Sequence, residues 1–184
     1  TGVAVFNPLH ALDIENINIK EKGKLTAEEL NNLKLHLNNL NIDAVSSLST
    51  EGRGECSGAW NTSQRRNYCT STSIELDVKN LLNNGTISAR GEHSTNSGSI
   101  SIEVENISGT GVITTKGGMR VCGGTCMGPG NGGDITVHYL NADAWSGTFN
   151  VEGGDPDGVP GNLVFKNKCD ADAASNIMFL PGMM

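Results

Sequence analysis

Asp77, Glu103 and His138 are the residues whose types and spacing most invite chemistry. Asp77 and Glu103 stand 26 residues apart, and His138 follows 35 later. The same two steps separate the hydrophobic phrases "IELDV" at Ile74, "ISIEV" at Ile100 and "ITVHY" at Ile135. If those phrases are strands stacked in register, the three side chains form one outward row at the roughly 5 Å spacing of paired strands. Two carboxylates that close repel each other, so a raised pKa, a cation or solvent must compensate. Glu75, two residues before Asp77 on the same face, joins the candidate set. The plainer reading is a solvated polar face, because the outward rows contain no arginine that could hold a substrate.

Two further groups could bind a metal or form covalent links. "GGDPDGVPGN" gives Asp155, Asp157 and Asn162 the DxDG look of a calcium loop, with Asp170 and Asp172 nearby. A full calcium loop carries more oxygen ligands and an anchoring acid. A Pro/Gly/Asp turn is the competing reading, and calcium is the single cofactor the sequence offers. Of the five cysteines, Cys56 and Cys69 flank one polar stretch and Cys122 and Cys126 another, "CGGTC". Four loop cysteines allow three pairings. Cys56–Cys69 and Cys122–Cys126 are favoured because each staples its own loop, with cross-pairing as the rival. A zinc site would need two further ligands, and none is suitably placed. Cys169 stands alone, as either a buried thiol or the half of an intermolecular disulfide. Cysteines in polar loops, with N-x-S/T sequons at Asn61, Asn84 and Asn106, point to an oxidising, extracellular setting.

The chain has 184 residues, 36% apolar and only 4% aromatic, with 24 glycines and a net charge of −7. That length allows one domain with a real core. The composition suits an all-β protein with many tight turns and is too apolar for disorder. The acidic balance argues against nucleic acid as a partner. No apolar run is long enough for a membrane-spanning helix. Starting at Thr1 with no signal-like segment, the chain is expected to be a processed or trimmed product.

What must position these side chains is a repeat. Ile87 in "NGTISARG", Ile113 in "TGVITTKG" and Phe149 in "SGTFNVEG" follow Ile74, Ile100 and Ile135 by 13, 13 and 14 residues. The spacing finds two earlier copies, Leu35 with Leu48 and Leu12 with Leu25. First strands are then 23, 39, 26 and 35 residues apart, with a partial sixth unit, "NLVFKNK", at Asn162. Applied to Asn18, these steps give Asn41, Asn80, Asn106 and Asn141, all asparagine. The expectation is a buried ladder of side-chain amides, which would leave Asn106 unglycosylated. Period-two alternation places Leu12/Leu35/Ile74/Ile100/Ile135 and Leu25/Leu48/Ile87/Ile113/Phe149 inward. It places Asp13/His36/Glu75/Ser101/Thr136 and Glu15/Asn38/Asp77/Glu103/His138 outward. Gly52, Gly91, Gly117 and Gly153 share one corner, where positive φ is expected. "LTAEELNNLKLHL" also carries a helix signature, a Thr26 cap with Glu29 three residues on. The register nevertheless assigns Leu25 and Leu35 to strands and leaves one helical turn between them. The excess length falls at about 52–71 and 118–133, so both cysteine loops leave the same corner two units apart.

The phrases "GTISARG", "GTGVITTKGG" and "SGTFNVEGG" resemble the repeats of right-handed parallel β-helix proteins, the pectin-lyase-like superfold, over roughly residues 12 to 168. The resemblance implies an all-β parallel β-helix, or β-solenoid, of about five to six coils with two disulfide-bearing loop insertions. It implies a single domain over 1–184, with 1–11 and 170–184 capping the ends or joining subunits. In β-helix glycosidases and lyases, carboxylates on adjacent coils do the chemistry. By that resemblance Asp77, Glu103 and His138 would be the catalytic group of a polysaccharide lyase or hydrolase. Such enzymes generally have more coils, a cleft walled by loops and basic substrate-binding residues.

The preferred expectation is therefore a protein without catalytic activity: a structural, self-assembling extracellular homopolymer of the sheath, filament or envelope-layer kind. In overall character it is similar to archaeal cell-surface subunits. The apolar "TGVAVF" and "NIMFLPGMM" and the odd Cys169 fit subunit joining. A carbohydrate-binding or carbohydrate-cleaving β-helix module, with cell-envelope carbohydrate as partner, is the alternative.

Overall fold

A computed structural model describes residues 3–6, 14–27, 32–50, 72–91, 95–123 and 125–170. The chain passes alternately through two sheets. β1 (Val3–Phe6) lies in the first and β2 (Asn16–Ile19) in the second. The alternation continues through β3 (Lys24–Ala27), β4 (Leu33–Ile42), β5 (Ser47–Ser49) and β6 (Ile74–Asn83). It goes on through β7 (Thr86–Ser88), β8 (Ile100–Gly109) and β9 (Val112–Thr114). A small antiparallel pair, β10 (Val121–Gly123) and β11 (Thr125–Met127), interrupts it. β12 (Ile135–Tyr139) and β13 (Asn141–Trp145) resume the second sheet. β14 (Thr148–Asn150) belongs to the first sheet and β15 (Leu163–Asn167) to the second.

The strand order is β1-β3-β5-β7-β9-β14 in the first sheet and β2-β4-β6-β8-β12-β15 in the second, with β13 also beside β8. Every pairing in both sheets is parallel. Neither sheet closes on itself. The described chain is thus nearly all β, with successive strands stacked in chain order. Strands also flank the ambiguous "LTAEELNNLKLHL", whose residues 28–31 lie outside the described set.

The core follows from alternation. Leu25, Leu48, Ile87 and Ile113 point inward from the first sheet, while Leu33, Ile74, Ile100 and Ile135 point inward from the second, and all are buried in one cluster. A strand such as Thr86–Ser88 contributes one apolar side chain, Ile87, which is fully buried. That burial is worth roughly 1.5–3 kcal/mol, too little to order the unit without its neighbours.

The second-strand column has the expected membership, with Leu25, Leu48, Ile87, Ile113 and Phe149 in pairwise register. The first-strand column does not. Leu35 pairs with Leu76, and Leu33 takes the place over Ile74. The step between β4 and β6 is therefore 41 residues instead of 39, while β5 to β7 keeps 39. The cause is corner length: residues 43–46 join β4 to β5, and only residues 84–85 join β6 to β7. A two-residue slip preserves the inward and outward phase, so the hydrophobic pattern cannot register it.

The slip changes the asparagine ladder. Asn41 faces Leu82 and does not stack on Asn80. The ladder runs instead through Asn16, Asn39, Asn80, Asn106 and Asn141, each Nδ2 donating to the Oδ1 one unit earlier. The Asn80, Asn106 and Asn141 links are each 2.8 Å. Asn18 and Asn41 are not members. Nor is the ladder buried: Asn16, Asn39 and Asn141 are exposed, and Asn80 and Asn106 half-buried. The reason is local. In β4 the alternation breaks at Asn38 and Asn39, two consecutive exposed residues, and β6 and β8 skip phase at the same place. The ladder lines that break in the alternation.

The recurring glycines also have a different cause from the expected one. Gly91 and Gly117 do not have positive φ; Gly109 does, at 110°. A Cβ on Gly91 would run into the Thr95 carbonyl, and one on Gly117 into that of Gly130. These corners need close backbone approach.

The shared core makes a direct prediction. Ile87→Ala should cost about 2–5 kcal/mol, read as a lower urea midpoint. Val45→Ala, at a side chain 60% exposed, should stay within about 0.5 kcal/mol.

Candidate functional site

With the observed register, the outward row is His36, Asp77, Glu103, His138 and Lys166, on β4, β6, β8, β12 and β15 in turn. Asp77 and Glu103 are adjacent as the repeat implies, and His138 follows Glu103. The slip replaces Asn38 with His36 beside Asp77. His36 Nδ1 lies 2.8 Å from Asp77 Oδ2, and His138 Nδ1 lies 2.7 Å from Glu103 Oε1. Lys168 Nζ reaches the other Glu103 oxygen at 3.0 Å. In the neighbouring row Lys34 Nζ meets Glu75 Oε2 at 2.6 Å. Glu75, Asp77 and Glu103 each have a basic group from another strand or from the chain just past β15. The acidic pair is compensated by cationic and imidazole groups from both flanks.

That compensation sets the chemistry. Partial burial pushes the Glu103 carboxyl up, but hydrogen bonds from His138 and Lys168, with the Lys168 charge, outweigh it and hold Glu103 below its ordinary range. A general acid for glycoside cleavage needs the opposite, a carboxyl kept protonated near neutral pH. Glu103 is suited to accepting hydrogen bonds. The row lies on an open sheet face, where the Asp77 side chain is 66% exposed.

The other candidate residues go to separate partners. Asp157 contacts Arg120 Nη2 at 3.4 Å, and Asn162 donates through both its N–H groups to Asp134 Oδ1. The Asp155 carbonyl accepts from the Arg120 backbone N–H. No group of three His, Cys, Asp or Glu side chains that could hold a metal ion occurs among the described residues. Cys122 and Cys126 are direct cross-strand partners in the β10–β11 pair, and their side chains lie outside the described set, as do Cys56 and Cys69. Cys169 is an exposed free thiol, not a buried one. Asn61 lies outside the described residues. Asn84 accepts from the Thr110 N–H through its own Oδ1, and Asn106 is committed to the ladder.

Several contacts had no signal in the spacing. Glu152 takes Lys116 Nζ at 2.9 Å and Asn150 Nδ2 at 3.2 Å. Lys168 follows the last strand and could not be assigned a row. The aromatics Tyr139, Trp145, Phe149 and Phe165 form a cluster at one end of the stack. Tyr139 and Phe165 stack at 4.4 Å, Phe149 lies 5.2 Å from Phe165, and Trp145 lies 5.6 Å from Phe149. The concentration of aromatic residues in the last units was the available clue.

Comparison with protein-family models, with curated proteins and with solved structures gives no match to this chain.

Glu103 yields a pH prediction. Its folded pKa lies below the unfolded one, so its stabilising contribution is complete above the unfolded value, about 4.3, and is lost as pH falls through the folded value. The stability gap between the native protein and Glu103→Gln should therefore narrow on acidification from about pH 6 to pH 3, measured by urea unfolding. The side chain is 44% exposed, so the gap should be small and shrink further in salt.

Proposed function

We propose that the chain is a right-handed parallel β-solenoid that serves as a self-assembling structural protein of an extracellular surface, without catalytic activity. Strands that alternate between two parallel sheets, in chain order, support the solenoid reading. The observation that carries the assembly reading is the terminal strand β15. Its Leu163 and Val164 are 46% and 41% exposed, and among the described residues no strand lies beyond it. A parallel edge with exposed apolar side chains is a template for another chain. The exposed thiol of Cys169, two residues past that strand, suits a covalent link between subunits in an oxidising setting. Favoured disulfides within each cysteine loop would suit the same setting.

A carbohydrate module is the second reading, favoured by the stacking of Asp77 directly on Glu103 on an open face. Its ion pairs speak for a binding surface more than a catalytic one. Calcium would serve either reading as a structural ion at most.

Negative-stain microscopy of oxidised protein, with and without reductant, separates the readings. Extended polymers are expected, and Cys169→Ser should remove the covalent dimers seen on a non-reducing gel. A monodisperse monomer at every concentration would sink the assembly reading. Turnover of a polysaccharide that disappears in Asp77→Asn would establish the enzyme instead.

A further inference from the structure

The two ends of the stack are each half complete, and they are complementary halves. At the N-terminal end the first sheet extends one strand further, because β1 pairs with β3 before β2 has entered the second sheet. At the C-terminal end the second sheet extends one strand further, because β15 pairs with β12 after β14 has ended the first. One end thus offers half a unit in the first sheet, and the other offers half a unit in the second. Among the described residues, neither half has its counterpart within the chain.

The side chains record the missing cover. Along the first sheet Leu48, Ile87 and Ile113 are each 0% exposed, whereas Phe149, the last in their column, is only half-buried. Along the second sheet Ile135 is 0% exposed and its neighbour Leu163 is 46% exposed. The register specifies what would fit. Val3 and Ala4 hold the positions of Lys24 and Leu25, the columns that end at Thr148 and Phe149.

We infer that copies of this chain join head to tail, β1 of one copy pairing with β14 of the next so that β1 and β15 together complete a shared unit. The inference rests on the assembly reading and adds its contact and polarity. Direction excludes the two-fold alternative: a copy related by a two-fold axis would bring its strands antiparallel to this edge, whereas a translated copy meets it parallel, as every strand in both sheets already is. Such a heterologous contact does not close, so it propagates into a filament. At the junction β15, which continues the columns of Leu33 to Leu37, lies beside and not under β2 of the neighbouring copy, which holds the columns of Asn39 to Ile42.

Paired strands in this register hold their Cα atoms about 5 Å apart, within disulfide reach. The test mixes two single variants, Val3→Cys and Thr148→Cys, both in a Cys169→Ser background, under mild oxidation. A crosslink between positions 3 and 148, identified by peptide mass spectrometry and absent from either variant alone, is the expected result. Deleting residues 1–6 should abolish pelleting of polymers while leaving the circular dichroism of the stack unchanged. If the native protein polymerises but no link between 3 and 148 forms, the head-to-tail contact is wrong and the assembly reading stands. If the native protein never leaves the monomer, both fall. If the link appears only after residues 171–184 are removed, the chain's own tail covers β14 and the inference fails.

Discussion

Lateral backbone pairing between successive units is the constraint on which everything else in this molecule depends. β4, β6 and β8 are each ten residues long and stay in register along most of that length. β5, β7 and β9 are each three residues long and bring a single central apolar side chain to the core. No unit buries enough by itself to offset its conformational entropy. Stacking makes the burial shared, so stability accrues between neighbours, as in other repeat architectures. The asparagine ladder reinforces this where ordinary alternation lapses and side-chain amides link one unit to the next.

The same stacking dictates the electrostatics of the outer face. A strand spacing near 5 Å forces like charges together wherever two units carry acids at one position. Here Asp77 and Glu103 are adjacent, and His36, His138 and Lys168 answer them from the flanks. The network rewards the correct neighbour, since a two-residue slip of β4 would take His36 away from Asp77. That is a role in register and specificity, and exposed pairs of this kind add little to net stability. The face therefore reads most economically as part of the scaffold.

Stacks of this type are limited by their ends. Interior layers here are aliphatic and sealed, whereas the last layers are aromatic and partly open. The Tyr139, Trp145, Phe149 and Phe165 cluster supplies large, rigid surface at low entropic cost. Such a layer can terminate a core or receive a partner. The half-unit offset between the two sheets fits the head-to-tail contact inferred above.

Much of the architecture was legible from residue order. Period-two alternation and the 26-residue step placed Ile74 over Ile100, Ile87 over Ile113, and Asp77 over Glu103. The 35-residue step placed His138 beside Glu103. What could not be read was a shift of two. Asn16 and Asn18, and again Asn39 and Asn41, are asparagines two apart, so the ladder test returned asparagine in either register. Leu33, Leu35 and Leu37 are equally interchangeable as inward leucines. Only the tertiary structure decided that a four-residue corner after β4 and a two-residue corner after β6 offset the strands, bringing His36 to Asp77 and Asn39 to Asn80. Side-chain periodicity determines which face a residue joins, but backbone path length through the corners determines which neighbour it meets.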